Sequence, residues 1–153
     1  MLSGLRLGND DRLTVSEILS LTRLQGTRLV MLSGCDTGVN DVFESVNDFV
    51  GLPAAFLQLG AAGVVSTLWP VNDSPTSLLV ARFYELHILR KMEPPAALKG
   101  AQTWLRDANR AELSAYWKQI NGGQTAEFAW PNNTLDRPFS HPHFWAGFVL
   151  YGK

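Results

Sequence analysis

Two short apolar runs dominate the first half of the chain. The first is Leu29–Leu32, and the second, residues 63–69, is rich in β-branched and aromatic side chains. Turn-forming residues flank both runs, a pattern typical of buried strands in a parallel sheet that is covered on both faces. Between them, Pro53 opens an apolar segment that stops at Gly60, which indicates a helix. Two strands joined by a helix predict a right-handed βαβ unit.

Helical signals predict further elements on both sides of this unit. Thr14 and Glu17 have the spacing of a capping box, which opens a helix through about residue 21. Ser74 and Pro75 suit the cap and the first position of a helix that extends to about residue 91. The same reasoning predicts a short strand or hairpin arm at residues 2–7, helices at about 94–107 and 110–120, a surface loop at 121–141 and a last strand at 144–151.

The residues that follow the two predicted strands carry the candidate chemistry. Cys35, the single cysteine, comes three residues after Leu32. Parallel sheets hold their reactive groups at the carboxyl ends of the strands. The loop after the second strand contains Asp73, and we expect that loop to open on the same edge of the sheet as Cys35. Gly34 and Gly38 would let the backbone turn tightly and approach a substrate carbonyl.

Each of these candidates also has a purely structural interpretation. Cys35 could be a small buried hydrophobe, as free cysteines often are. Asp73 could cap the helix that starts near Pro75, alone or together with Ser74. Asp36 could hold its own loop in an Asx-turn instead of contacting a substrate. The residues by themselves leave these alternatives open.

Composition narrows the class of protein. A chain of 153 residues with 46% hydrophobic and 18% charged residues fits one globular domain with a sizeable core. The net charge of -1, without a basic cluster, gives no support for binding to nucleic acid or to an anionic membrane. A single cysteine allows no internal disulfide, and neither a signal-peptide pattern nor a long apolar stretch is present. We therefore expect a cytoplasmic protein.

Histidine and tryptophan add little chemistry. His141 and His143 have no cysteine or carboxylate at ligand spacing nearby, so we expect them to shape the start of the last strand rather than to bind a metal. The tryptophans are expected in the core or at an interface. No metal or organic cofactor is expected.

Several motifs occur together in the order and spacing of one peptidase family. They are Ser-Gly-Leu at residues 3–5, Leu-Ser-Gly-Cys-Asp-Thr-Gly at 32–38, the short motifs at 51–52, 55–57 and 59–61, Ser-Thr-Leu-Trp-Pro-Val-Asn-Asp at 66–73, and the segment 141–152. Over nearly its whole length the chain resembles the C-terminal half of a CHAT domain. This is a caspase-like, clan CD type of cysteine peptidase that is often fused to tetratricopeptide repeats. Gly34 departs from the family pattern, which usually has alanine there.

The resemblance implies an α/β fold with a caspase-like, mostly parallel sheet and flanking helices. In that family the catalytic histidine lies on the strand before the cysteine, in a histidine–glycine motif upstream of the Ser-Gly-Leu segment. We therefore expect residues 1–153 to be the C-terminal portion of a single domain, truncated on its N-terminal side. Residues 29–33 would then form an exposed apolar edge, which favours self-association or pairing with an N-terminal partner.

The resemblance also implies roles for individual residues. It makes Cys35 the nucleophile, places Gly34 and Cys35 at the turn that forms the oxyanion hole, and assigns Asp73 to the pocket for a basic substrate side chain, with Asp36 as a further substrate contact. None of the histidines matches the family's catalytic position; they are His87, His141 and His143. The sequence thus predicts a chain that is inactive alone. The completed domain would cleave peptides after a basic residue through a thioester on Cys35.

Two other functions are compatible with the same residues. One is a pseudo-peptidase that acts as an interaction module, and the weaker one is a different α/β hydrolase that uses Cys35 with His143. The expected partners are a peptide or protein substrate and either an N-terminal CHAT half or a tetratricopeptide-repeat protein. Nucleic acid and membranes are not expected partners.

Overall fold

The protein has an α/β fold, as the sequence predicts. A computed structural model describes residues 4–6, 11–20, 24, 26–33, 45–123 and 128–152. The chain forms two compact units, one of residues 1–70 with 148–153 and the other of residues 71–147. The described strands all belong to the first unit, and the second unit is helical.

The first unit begins with a hairpin and a short helix. Strand β1 (Gly4–Arg6) pairs antiparallel with β2 (Arg12–Thr14), and helix α1 (Val15–Ser20) follows directly. The predicted capping box is present: the Thr14 N–H donates to Glu17 Oε2 at 2.8 Å, and the Glu17 N–H donates to Thr14 Oγ1 at 3.2 Å. These bonds satisfy donors that the start of a helix leaves free. The bond from the Thr14 backbone also lowers the pKa of the Glu17 carboxyl.

A three-stranded mixed sheet forms the rest of the first unit. Strand β3 (Leu29–Leu32) pairs in parallel with β4 (Gly63–Thr67), which pairs antiparallel with β5 (Phe148–Gly152). Helix α2 (Ser45–Gln58) joins β3 to β4, which confirms the predicted βαβ connection. Strand β4 is central and buried at every position, whereas β3 is half-buried throughout. Within the described residues, β4 is the only strand that pairs with β3.

Helix α2 is longer than the sequence predicts. Pro53 was expected in its first turn, but the helix begins at Ser45 and holds Pro53 in its interior. An interior proline removes one backbone hydrogen bond. Here Pro53 is fully buried, and the apolar surface it removes from water offsets part of that loss. The helix packs on α1, with Ile18 and Ala55 at the centre of the contact.

The second unit consists of packed helices. They are α3 (Asp73–Tyr84), a π-helix (Glu85–Leu89), α4 (Pro94–Asp107), α5 (Arg110–Ile120) and a 3-10 helix (Pro142–Phe144). Helix α3 packs against α4 and α5 around buried apolar side chains, which include Leu78, Leu79, Phe83, Leu98, Ala101, Leu105 and Leu113. Helices α4 and α5 match the predicted ranges. No described helix is long and apolar enough to cross a membrane.

The predicted surface loop before the last strand is ordered by aromatic side chains in its described part. Phe128 packs on Trp117 and Trp130, with ring centroids 5.1 Å and 4.6 Å away. Phe139 is buried and stacks on Trp130 at 6.3 Å. The guanidinium of Arg110 lies 5.0 Å from the centre of the Trp130 ring. The strand that follows begins at Phe148, later than predicted, because residues 142–144 form the 3-10 helix.

Candidate catalytic site

The carboxyl end of β3 leads directly to the candidate nucleophile in the sequence. Strand β3 runs parallel to β4, with Leu32 opposite Ser66 at the end of the pairing. Ser33 follows the strand and is half-buried. The residues next in the chain, Gly34, Cys35 and Asp36, lie outside the described residues. Their assignment as the nucleophile, its turn and a substrate contact stays a prediction.

Asp73 begins the helix that follows β4. It is exposed and is the first residue of α3, and Asn72 occupies the N-cap position without a side-chain capping bond. The helix therefore starts before Pro75, where the sequence predicts the first helical residue. A carboxylate in the first helical turn interacts favourably with the positive end of the helix dipole. The Asp73 carboxylate makes no ion pair with any residue that the structure describes.

Two of the three histidines form hydrogen bonds with nearby backbone groups. Nδ1 of His87 lies 2.8 Å from the carbonyl oxygen of Met92, and since a carbonyl can only accept, Nδ1 carries the proton in this bond. The His87 ring also stacks on Phe83 at 5.7 Å. Nδ1 of His141 accepts the His143 N–H at 3.2 Å, which caps the 3-10 helix before β5. This agrees with the expected structural role of that pair. The described residues contain no cluster of three or more metal-ligating side chains.

A partly buried polar network in the second unit is not predicted from the sequence. Arg82 Nη1 donates to Glu85 Oε2 at 2.8 Å, and the Tyr116 hydroxyl donates to the same oxygen at 3.1 Å. The Arg82 guanidinium lies 5.4 Å from the Trp104 ring centre and 5.8 Å from that of Tyr116. Burial, and then the hydrogen bond to Glu85, raise the pKa of Tyr116 to about 12. The network ties α3, the π-helix, α4 and α5 together.

Only part of this network has a local sequence signal. Arg82 and Glu85 have the three-residue spacing of helical ion pairs, which could have suggested their contact. Tyr116 is 31 residues from Glu85, so nothing in the local pattern connects them. The π-helix is not predicted either, because the apolar spacing over residues 74–91 indicates one regular helix.

The comparisons with known proteins place the chain in a family. It is 28% identical over 141 residues to mouse tetratricopeptide repeat protein 28, an alignment that covers 92% of this chain and 4% of the relative. The chain thus spans a small fraction of the length of the curated relative that it matches. No solved structure matches it. The family model for the CHAT domain matches residues 1–153, and the chain belongs to the CHAT domain family.

Proposed function

We propose that this chain carries the nucleophile of a CHAT-type cysteine peptidase and that Cys35 is that nucleophile. The observation that supports this most directly is the parallel pairing of β3 with β4, because Cys35 follows the carboxyl end of β3 by three residues. Open α/β sheets bind their ligands at such strand ends. Membership of the CHAT family supports the same assignment, since residues 32–38 resemble the nucleophile motif of that family.

The proposed reaction is hydrolysis of a peptide bond through a thioester. The Cys35 thiolate attacks the scissile carbonyl carbon, a carbon–sulfur bond forms, and the carbon–nitrogen bond breaks as the leaving amine takes a proton from an imidazolium. Backbone N–H groups of the turn at Gly34 and Cys35 would stabilise the oxyanion. Water then hydrolyses the thioester, which returns the thiol and releases the carboxylic acid.

The histidine for this reaction is proposed to come from outside these 153 residues. His87 and His141 support local backbone through Nδ1, and none of the three histidines follows the family's histidine–glycine pattern. An unassisted thiol has a pKa of about 8.5, which leaves only a few per cent thiolate at neutral pH. We therefore expect this chain alone to be inactive. An N-terminal CHAT half or a tetratricopeptide-repeat protein that brings such a half would complete the site in the cytoplasm.

A basic residue before the scissile bond is the proposed substrate feature. The Asp73 carboxylate, which is exposed and makes no ion pair with any described residue, would bind an arginine side chain in bidentate geometry, with Asp36 as a further contact. Replacing Asp73 by asparagine should lower kcat/KM for an arginine substrate by about 10- to 100-fold, because a charge-assisted bond is lost. Asp136→Asn, at another exposed carboxylate of the same unit, is the matched control and should leave kcat/KM unchanged.

The test is complementation between two polypeptides. The 153-residue chain is mixed with a polypeptide that supplies the histidine–glycine strand of a CHAT domain, and cleavage of fluorogenic peptides with arginine, lysine or aspartate before the scissile bond is followed. We expect cleavage after arginine or lysine in the mixture only, and its loss with Cys35→Ala. His143→Ala should leave the rate unchanged. Activity of the chain alone that disappears with His143→Ala would refute the proposal and favour a hydrolase that uses Cys35 with His143.

The same experiment separates a peptidase from an interaction module. If the two polypeptides form a complex, no peptide is cleaved, and Cys35→Ala leaves the complex equally stable, then the chain is a non-catalytic pseudo-peptidase. That outcome would overturn the role of Cys35 while leaving family membership untouched.

A further inference from the structure

A groove of about 680 Å³ lies beside the π-helix in the second unit. The π-helix side contributes Tyr84, Ile88 and Leu89, and α5 contributes Tyr116 and Ile120. None of these residues is a candidate for the peptidase chemistry, so an inference from this groove goes beyond the proposed function.

The apolar residues of the groove are unusually exposed. Leu89 is 73% exposed, Ile88 58%, Tyr84 41% and Ile120 38%. Large apolar side chains scattered singly over a surface are ordinary, but a contiguous set in one groove marks an interaction surface. The π-helix that carries two of them is itself a rare element that occurs frequently at functional sites.

The backbone around the groove is already hydrogen-bonded. The Arg90 N–H donates to the Glu85 carbonyl, and the Met92 N–H donates to the Leu86 carbonyl, both at 3.1 Å. A partner that adds as a β-strand needs the unpaired backbone groups of a sheet edge, and helical walls do not offer them. A helix satisfies its own backbone and needs only side-chain contacts, so it is the partner conformation that this groove fits.

The charge that is available at the groove is positive. The Glu85 carboxylate accepts hydrogen bonds from Arg82 and Tyr116, and the positive charge of Arg82 balances its negative charge. Arg90 is exposed and forms no ion pair with any residue that the structure describes, and the neighbouring Lys91 is exposed as well. A symmetric contact between two copies of this chain would place the same cations on both sides of the interface. Charge complementarity therefore requires an acidic partner.

We propose that this groove binds an amphipathic helix of a second protein. The helix presents apolar side chains at positions i, i+3 or i+4, and i+7, which cover Ile88, Leu89 and Ile120. A glutamate or aspartate beside that apolar stripe pairs with Arg90. The specificity for an acidic helix comes from Arg90, because the groove's own carboxylate is already occupied by Arg82.

The test uses three synthetic helical peptides and the full 153-residue chain. Two peptides share the same leucine stripe and differ in whether glutamate or lysine flanks it, and the third has the leucines of the first redistributed around the helix. Binding is measured by fluorescence anisotropy. We expect the glutamate peptide to bind about 3- to 10-fold more tightly than the lysine peptide, as a partly exposed ion pair allows. The redistributed peptide should bind at least about tenfold more weakly than the glutamate peptide.

Variants at exposed positions locate the binding site. The double variant Ile88→Ser with Leu89→Ser should weaken binding of the glutamate peptide by about tenfold or more. Leu135→Ser, at a side chain that is 52% exposed outside the groove, should have no effect. Arg90→Glu should reverse the order of the two charged peptides. Circular dichroism checks that each variant is folded.

Three results would overturn the proposal. The first is a glutamate peptide that binds no more tightly than the lysine peptide, which includes the case in which neither peptide binds. The second is an affinity that the groove variants leave unchanged. The third is a dimer of the chain that disappears with the Ile88 and Leu89 substitutions, because it would make a second copy the occupant of the groove.

Discussion

Gly152 ends β5 with a φ of 95°, a backbone conformation that L side chains adopt only with strain. A Cβ at this position would collide with the carbonyl oxygen of Ala62 and lie 3.2 Å from Cα of Gly63, and both of these are backbone atoms. We expect Gly152→Ala to lower the free energy of unfolding by about 2–4 kcal/mol, measured by urea denaturation.

Gly26 is the matched control for this substitution. Its φ is 86°, but no described atom lies within 4 Å of the Cβ position. Gly26→Ala should therefore cost only the conformational strain, about 1 kcal/mol. Equal losses for the two variants would mean that the contact with Ala62 contributes nothing.

Tyr116 provides a prediction for titration. Its pKa is raised to about 12 by burial and by the bond to Glu85, from an ordinary value of about 10. A raised pKa in the folded state means that the stability contributed by the protonated hydroxyl is complete below about pH 10. It is lost as the pH rises from about 10 to about 12. The ultraviolet difference titration between the wild type and Tyr116→Phe should show one tyrosine with a midpoint near 12. A midpoint near 10 would contradict both the burial of the Tyr116 hydroxyl and its bond to Glu85.

Among the elements, the π-helix ends in a strained backbone position. Lys91 has a φ of 54°, the left-handed region that favours glycine, just after Arg90 closes the π-turn. Lys91→Gly should relieve this strain and raise the free energy of unfolding by about 0.5–1 kcal/mol. Lys99→Gly, at an exposed position inside α4, should lower it by about 1 kcal/mol, because glycine is a poor helix former. Thermal or urea denaturation of the pair distinguishes these opposite signs.

Elements with strong local signals were predicted within a few residues of their bounds. The capping box of Thr14 and Glu17 forms as expected, and the proline pair at residues 94–95 begins α4 as expected. Both signals act over one helical turn, so the sequence carries them without help from tertiary structure.

The elements that differ depend on packing or on hydrogen-bond register. A proline inside α2 is tolerated because Pro53 is buried, and burial cannot be read from the local pattern. The π-helix differs from the predicted α-helix mainly in its hydrogen-bond register, which apolar periodicity over five residues does not encode. For the site, the parallel pairing of β3 with β4 follows from the pattern. The hydrogen bond from Tyr116 to Glu85 does not follow from the pattern, because contacts between residues far apart in the sequence produce no periodicity in it.

At the scale of the whole molecule, the edge of β3 that no described strand covers determines how copies of the chain are expected to behave. Leu29–Leu32 is apolar and half-buried, and β4 is its only strand partner in the described part of the chain. An unprotected apolar edge is a template for pairing with another chain. Sedimentation velocity should therefore show concentration-dependent species above the monomer mass of 16.9 kDa. Hydrogen exchange of the β3 amides should slow as the protein concentration rises.

Two variants and one partner identify β3 as the origin of that association. Met31→Lys should shift the distribution towards monomer, since lysine on an edge strand opposes pairing. The double variant Ile88→Ser with Leu89→Ser leaves the edge intact and should associate like the wild type. Adding the polypeptide that supplies the histidine–glycine strand should replace the self-associated species by a one-to-one complex, because both compete for the same edge. A monomer at every concentration, with β3 amides that exchange at a constant rate, would show that the edge of β3 is already covered.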